Sequence, residues 1–149
     1  MRVVLQEVLK AKVTIDGQVK GEIKKGYLLL VSFTFGDNVD ICTKMASKIS
    51  KLRIFLDENG KTNLSIFEVK GKILSISQFT LYADTKKGNR PSYTSCLTPS
   101  EASRLYDYFN DELRKLNLDV KTGEFGADMK VELINDGPYT LVLDSEDLK

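Results

Sequence analysis

One apolar stretch constrains the fold of this chain more than any other feature. Residues 27–31, Tyr-Leu-Leu-Leu-Val, are hydrophobic at every position. An alternating pattern would bury one face of a strand, whereas an unbroken run predicts a strand that is covered on both faces. The run is much shorter than the roughly 20 residues that a membrane-spanning helix needs. We therefore expect a sheet with packed layers on both sides, and no membrane anchor.

Two helices are predicted to supply part of that cover. Apolar residues recur at steps of three and four positions between 38 and 51, which is the period of a helix with one buried face. A second helix is expected to begin after Thr98, because Pro99 suits the first helical position and Glu101 completes a capping box with the threonine.

The remaining apolar segments predict seven or eight strands. Asp16-Gly17 separates two of them, and this dipeptide is typical of a type I′ hairpin turn. Residues 129–134 and 139–143 are expected to form two strands joined by a turn, and residues 62–65 to be irregular. Because strands and helices do not alternate in a βαβ order, the predicted class is α+β, a mostly antiparallel β-sheet or barrel with two main helices.

Composition excludes several kinds of active site. The 149 residues suffice for one domain but not for two, so 1–149 is expected to be a single domain. The chain has no histidine, which excludes Ser-His-Asp and Cys-His sites, and no residue cluster has metal-binding spacing, so we expect no metal and no cofactor. Cys42 and Cys96 are isolated, as is usual in a reducing cytoplasm, and a net charge of +1 does not indicate a DNA-binding protein.

A polar motif ends one of the predicted buried strands: Ser77, Gln78, Phe79, Thr80 and Leu81. Polar side chains at a strand exit can meet a ligand, although threonine and phenylalanine are also ordinary strand residues. The loop that follows carries Lys86, Lys87 and Arg90. Cations beside two hydroxyls suit a phosphorylated or nucleic-acid substrate, and a plain solvated loop is the alternative.

Gly137-Pro138 has two interpretations. The pair can simply be the turn of a β-hairpin, with Asp136 as a turn-forming residue. It can also present carbonyl oxygens in fixed directions, because proline is rigid and glycine has no side chain to block approach. Such carbonyls could hold an ammonium group.

Four segments together resemble the D-aminoacyl-tRNA deacylase (D-Tyr-tRNA deacylase) family: residues 77–81, 83–92, 125–129 and 135–138, the last two being Phe-Gly-Ala-Asp-Met and Asn-Asp-Gly-Pro. The resemblance runs in a consistent order from Met1 to about Ser145. It implies a D-Tyr-tRNA deacylase-like fold and hydrolysis of the ester between a D-amino acid and the 3′ ribose of tRNA.

The resemblance also implies a homodimer with its active sites at the subunit interface. Gly137 and Pro138 of the partner subunit, joined by a cis peptide bond, would complete the site of Ser77, Gln78, Phe79 and Thr80. Lys86, Lys87 and Arg90 are expected to contact the acceptor end of D-aminoacyl-tRNA. Main-chain atoms of the Gly-Pro pair would hold the α-amino group and exclude an L side chain, which predicts tolerance of many D side chains and leakage toward achiral glycine.

Thr80 is the nucleophile that the resemblance suggests, yet a hydroxyl without a neighbouring base is poorly activated. We favour attack by water assisted by the 2′-hydroxyl of the substrate, with main-chain N–H groups near Phe79-Thr80 stabilising the oxyanion.

Two residues depart from the family pattern. Glu7 stands where arginine is usual, and Tyr139 follows the Gly-Pro pair where valine is usual. If the usual arginine braces the Gly-Pro loop, this chain needs another brace.

Two other functions would also be compatible with the residues: an RNA-binding module without turnover, and an esterase or amidase acting on small D-amino acid derivatives.

Overall fold

The computed structural model describes residues 1–148, and one long strand organises it. β1 (Arg2–Ile15) runs for 14 residues, and alternating side chains are buried in both halves of the strand, on either side of an interruption at residues 7–10. The elements follow in chain order: β1 (Arg2–Ile15), β2 (Gln18–Ile23), β3 (Gly26–Ser32), α1 (Val39–Lys51), β4 (Arg53–Leu56), β5 (Thr62–Ser65), β6 (Lys72–Ser77), a 3₁₀ helix (Phe79–Tyr82), α2 (Pro99–Lys115), β7 (Val120–Thr122), β8 (Lys130–Asp144) and a second 3₁₀ helix (Ser145–Asp147).

The main sheet has the order β2-β1-β3-β6-β7, and β8 pairs with β1. β1 is antiparallel to each of its three partners, whereas β3, β6 and β7 are parallel to one another. β4 and β5 form a separate antiparallel pair. With two long helices and a mostly antiparallel, barrel-like sheet, the structure confirms the predicted fold class.

The prediction that no βαβ alternation is present is wrong. The connection from β3 to its parallel neighbour β6 contains α1, and the connection from β6 to β7 contains α2. Parallel neighbours require such crossovers, because a short hairpin joins only antiparallel strands. The extra pair of β4 and β5 within the first crossover hides this alternation in the sequence.

The strand with the unbroken apolar run is covered on both faces, as expected. Tyr27, Leu29 and Val31 belong to a core between the sheet and the two helices. Leu28 belongs to a second core inside the barrel, together with Val13 of β1. Cys42 is completely buried in the first core, which confirms that it is a packing residue.

Three local expectations need correction. The segments 129–134 and 139–143 are not the two arms of a hairpin: both belong to β8 and pair with β1, and the ladder is interrupted between them. Residues 62–65, expected to be irregular, form β5. The Thr98 side chain bonds to the Glu101 carboxylate (3.3 Å) and not to a backbone N–H, so the expected capping box is only partly formed. No helix within 1–148 is long and apolar enough to span a membrane.

Candidate functional site

The polar motif lies at the end of a strand, as expected, and its backbone changes conformation after Ser77. β6 ends there, and the Gln78 N–H still donates to the Val31 carbonyl of β3 at 2.8 Å. The chain then turns into the 3₁₀ helix Phe79–Tyr82, which we call the site turn. Gln78 therefore marks the place where the backbone leaves the sheet.

Three side-chain donors fix the site turn from behind. The Phe79 carbonyl accepts hydrogen bonds from the Ser32 hydroxyl and the Cys96 thiol, both at 3.3 Å. Burial raises the pKa of the Cys96 thiol, so the sulfur keeps the proton that it donates. Arg2 donates to the Leu81 carbonyl at 2.7 Å and pairs with Asp144 at 3.1 Å. These contacts hold the backbone of the site turn in one conformation.

The site turn offers main-chain donors but no activated nucleophile. Among residues 1–148, the N–H groups of Phe79 and Thr80 have no hydrogen-bond acceptor, as is usual for the first residues of a helix. The exposed Thr80 hydroxyl accepts a hydrogen bond from the Gln78 amide, and the described residues place no basic group against it. An amide donor does not make a hydroxyl more nucleophilic, so this geometry can stabilise an oxyanion better than it can activate Thr80.

A cleft of about 310 Å³ opens beside the site turn. Its walls come from the ends of β3 and β6, the start of α2 and the segment 125–129, and they include Phe79, Phe125 and Met129. The Phe79 ring is 55% exposed and packs edge-on against Tyr93, with ring centres 5.1 Å apart. A mostly apolar cleft with a few polar groups at one side is the usual form of a small-molecule site.

The basic loop lies next to the site turn along the chain and is exposed. Paired backbone hydrogen bonds between Asp84 and Ser92, both 2.8 Å, close its base. Lys86 lines a shallow cavity with Arg2, which belongs to the contacts behind the site turn. In the described part of the chain Lys86, Lys87 and Arg90 form no ion pairs, so all three charges are available to a polyanion.

Gly137-Pro138 sits on a loop that interrupts the ladder between β1 and β8. Gln6 pairs with Thr140 and Val8 pairs with Asn135, so a single β1 residue, Glu7, lies opposite four β8 residues. Those four residues, 136–139, therefore leave the sheet as the Gly-Pro loop. Its central peptide bond is cis, as the resemblance implies, and Gly137 has φ +125°, a conformation that other residues rarely adopt.

Asn135 braces the base of the Gly-Pro loop. Its side-chain amide donates to the Glu7 carbonyl at 2.8 Å and to the Tyr139 carbonyl at 2.9 Å. Thr140 adds a longer hydrogen bond to the Asn135 side-chain oxygen, at 3.4 Å. Asn135, a neutral side chain within β8, thus holds the base of the loop.

The Gly-Pro loop and the site turn lie apart within one chain. Val3 of β1 pairs with Val31, which in turn pairs with Ser77, whereas the loop leaves the sheet at Glu7. Four residues along β1 correspond to about 13 Å. Gly137 and Pro138 are also absent from the walls of the cleft. Ser77, Gln78 and Phe79 line the cleft, whereas Thr80 lies on the site turn outside its walls and Gly137-Pro138 is remote from it within one subunit.

Sequence reasoning missed the residues that hold the site from behind. Arg2 and Ser32 lie far from the motif in the sequence, and no local pattern connects them to it. Asn135 was interpreted only as part of a turn. Its position two residues before Gly137 is the one available signal, since asparagine side chains often bond to nearby backbone groups.

Comparison with known proteins gives consistent matches over nearly the whole chain. Residues 4–144 match the family model described as D-Tyr-tRNA(Tyr) deacylase. A protein named D-aminoacyl-tRNA deacylase from Lactobacillus gasseri is 60% identical over 97% of this chain and 99% of its own length. One of the same name from Bacillus cereus is 55% identical over 98% of this chain and all of its own.

Solved structures agree with these matches. A structure titled c-Myc DNA Unwinding Element Binding Protein superposes with a TM-score of 0.90 at 36% identity, covering 97% of this chain and 98% of its own. A probable eukaryotic D-amino acid tRNA deacylase superposes with a TM-score of 0.82 at 16% identity, covering 95% and 97% of the two chains, which establishes likeness of fold.

Replacing Asn135 tests the brace. Asn135→Ala leaves two partly buried carbonyls without their donor, so we expect the free energy of unfolding to fall by about 1–3 kcal/mol. Amide hydrogen exchange in residues 136–140 should become faster, as measured by mass spectrometry. Asn89→Ala is the matched control, because that exposed side chain forms no hydrogen bond in the described structure. Unchanged exchange in 136–140 would contradict the bracing role.

Proposed function

This chain belongs to the D-Tyr-tRNA(Tyr) deacylase family and hydrolyses D-aminoacyl-tRNA, and we propose that it does so in a site shared between the two subunits of a cytoplasmic homodimer. Ser77, Gln78, Phe79 and Thr80 of one subunit form one half of the site. Gly137 and Pro138 of the partner subunit form the other half. The observation that carries this proposal is the separation of the two motifs within one chain, since neither alone forms a closed site.

An apolar row that is exposed at its β8 end, partly buried in the middle and buried at its β6 end supports a subunit interface beside the cleft. Val142, Val4, Leu30 and Ile76 are consecutive cross-strand neighbours on β8, β1, β3 and β6, so their side chains share one face of the sheet. Val142 is 67% exposed, and Ile76 at the other end of the row lines the cleft. A second subunit seated on this row would cover apolar surface and lie next to the site turn.

The cleft is suited to the 3′-terminal adenosine of tRNA and the ester attached to it. The aromatic rings of Phe79 and Phe125 line it, and a base can stack on such rings. The phosphates that precede the terminal nucleoside would then run toward Lys86, Lys87 and Arg90. Because these contacts are electrostatic, they add affinity for tRNA without selecting the amino acid.

Selection of the D-enantiomer follows from the Gly-Pro loop. Its carbonyl oxygens accept hydrogen bonds from the α-ammonium group, while the site turn holds the ester carbonyl, so two substituents of the α-carbon are fixed and the side chain and hydrogen occupy the other two positions. A D side chain then points out of the site, whereas an L side chain meets the wall. Exclusion by collision rejects L-amino acids without contacting the D side chain, so many D side chains are accepted.

The chemical step uses water as the nucleophile. The 2′-hydroxyl of the terminal ribose orients the water, whose oxygen attacks the ester carbonyl carbon. The N–H groups of Phe79 and Thr80 stabilise the negative charge on the carbonyl oxygen. The bond from that carbon to the ribose 3′-oxygen then breaks, and a proton passes to the 3′-oxygen. The products are the free D-amino acid and tRNA with an intact 3′ end.

Initial rates on matched esters test the function. We expect fast hydrolysis of D-Tyr-tRNA, slow hydrolysis of Gly-tRNA and negligible hydrolysis of L-Tyr-tRNA, with activity on D-Tyr-tRNA falling steeply as salt rises. Equal rates on the D and L esters would contradict the selection mechanism. Binding of tRNA without product would indicate the RNA-binding alternative. Salt-insensitive hydrolysis of D-tyrosine methyl ester at a rate similar to D-Tyr-tRNA would indicate the small-ester esterase.

Variants of Thr80 test the role of water. Thr80→Ala keeps the main-chain N–H groups, so we expect the kcat on D-Tyr-tRNA to fall by less than about tenfold and the pre-steady-state trace to show no burst of free tRNA. Thr80→Ser serves as the control that keeps the hydroxyl. Complete loss of turnover in Thr80→Ala with normal binding of D-Tyr-tRNA would identify Thr80 as the nucleophile.

Mixed dimers test the shared site. Gly137→Val strains the Gly-Pro loop, and Ala127→Trp fills the cleft, so each homodimer should be inactive. A dimer with one chain of each kind contains one site in which both halves are intact. Random pairing on co-expression should therefore restore about a quarter of the wild-type specific activity, since half of the dimers are mixed and each has one good site of two. No restoration would place the whole site within one chain.

A further inference from the structure

Glu7 is a buried carboxylate without a partner. Its side chain is 7% exposed, and within residues 1–148 it forms no hydrogen bond or ion pair. Burying an unpaired carboxylate is costly, because water solvates the charge far better than a protein interior does. Such a group in a native structure calls for a functional explanation.

The position of Glu7 points to the Gly-Pro loop. It is the single β1 residue that faces the four residues of the loop, and its own carbonyl receives one of the Asn135 brace hydrogen bonds. Tyr27, its cross-strand neighbour on β3, has a buried hydroxyl that finds no hydrogen-bond partner in the described structure. The Glu7 carboxylate and the Tyr27 hydroxyl are therefore two polar groups beside the loop that have no hydrogen-bond partner in the described structure.

The charged and titratable groups around Glu7 favour a negative potential at the loop. Burial raises the pKa of Glu7, and the nearby Asp136 carboxylate raises it further, while the Lys25 ammonium lowers it in part. Burial also raises the pKa of Tyr27, with smaller contributions from Glu7 and Tyr139, so this phenol stays neutral. When Glu7 is ionised, two carboxylates flank the loop and a single lysine offsets them.

We propose that Glu7 is a specificity-determining residue: its ionised carboxylate, together with Asp136, strengthens the attraction of the Gly-Pro loop for the α-ammonium group of the substrate in the partner's cleft. The inference rests on the proposed function, because it assumes that the loop carbonyls receive that group. Electrostatic attraction inside a protein acts over several ångströms, so Glu7 needs no direct contact with the substrate. The enzyme thereby favours acyl groups with a free α-amino group over neutral analogues.

The ionised Glu7 carboxylate lowers the stability of the folded protein. A raised pKa means that the folded state binds the Glu7 proton more readily than the unfolded state does. The resulting stabilisation is present below the ordinary glutamate pKa of 4.5 and is lost as the pH rises through the folded-state pKa. At neutral pH the ionised carboxylate lowers the free energy of unfolding. A variant with a neutral isostere at position 7 should therefore have a higher Tm.

Glu7→Gln tests the proposal with two acyl groups of the same shape. For D-Phe-tRNA we expect the KM to rise about three- to tenfold, with kcat changed less than about twofold, because one charge acts across a partly screened distance. For D-phenyllactyl-tRNA, in which a hydroxyl replaces the amino group, the KM should stay the same. Glu22→Gln is the control, since it removes one exposed carboxylate from β2, away from the loop.

The pH dependence adds a second readout. As the pH falls through the Glu7 pKa, the KM of the wild type for D-Phe-tRNA should rise, and this rise should be absent in Glu7→Gln. Asp136→Asn should also raise the KM for D-Phe-tRNA. This variant tests the proposal even if Glu7→Gln fails to fold.

Equal changes for the amino and hydroxy substrates in Glu7→Gln, or no change for either, would overturn the role of Glu7 while leaving the deacylase function intact. A wild-type protein that hydrolyses neither substrate would instead overturn the proposed function and the role of Glu7 with it.

Discussion

The antiparallel ladder between β1 and β8 is the interaction on which the rest of the structure depends. It joins the two ends of the chain, from Arg2 opposite Asp144 to Thr14 opposite Lys130. Because β1 also pairs with β2 and β3, the same ladder positions the barrel and the strand that leads to the site turn. Where the ladder is interrupted, the Gly-Pro loop leaves the sheet with both of its ends held by backbone hydrogen bonds. A rigid base is what a loop needs if its carbonyls are to select one enantiomer.

The site turn reaches the same rigidity by other means. Donors from β1, from β3 and from Cys96, which precedes α2, fix the Phe79 and Leu81 carbonyls. With the carbonyls held, the N–H groups at the start of the turn keep a fixed position and need no reorganisation when charge develops in front of them. This geometry supports the proposed mechanism, in which main-chain N–H groups stabilise the oxyanion in a chain that has no histidine.

Glu7 shows how function and stability oppose each other behind the Gly-Pro loop. The Asn135 amide bonds to the backbone carbonyl of Glu7 and not to its side chain, so the Glu7 carboxylate takes no part in the brace. A negative charge costs stability in this enclosed space but suits a loop that receives a cation. Tyr139, the other departure from the family pattern, packs against the same core and borders the same space.

The sequence by itself determined the buried strand of residues 27–31, both helices, the hairpin at Asp16-Gly17 and the two functional motifs, because periodicity, turn chemistry and motif spacing are local properties. Only the tertiary structure decided that β3, β6 and β7 are parallel and that both halves of β8 pair with β1. It also decided that Arg2, Ser32 and Asn135 hold the site, and that the two motifs stand apart within one subunit. These outcomes depend on which strands pair and in which register. Pairing is settled by packing over long sequence separations, which no local pattern records.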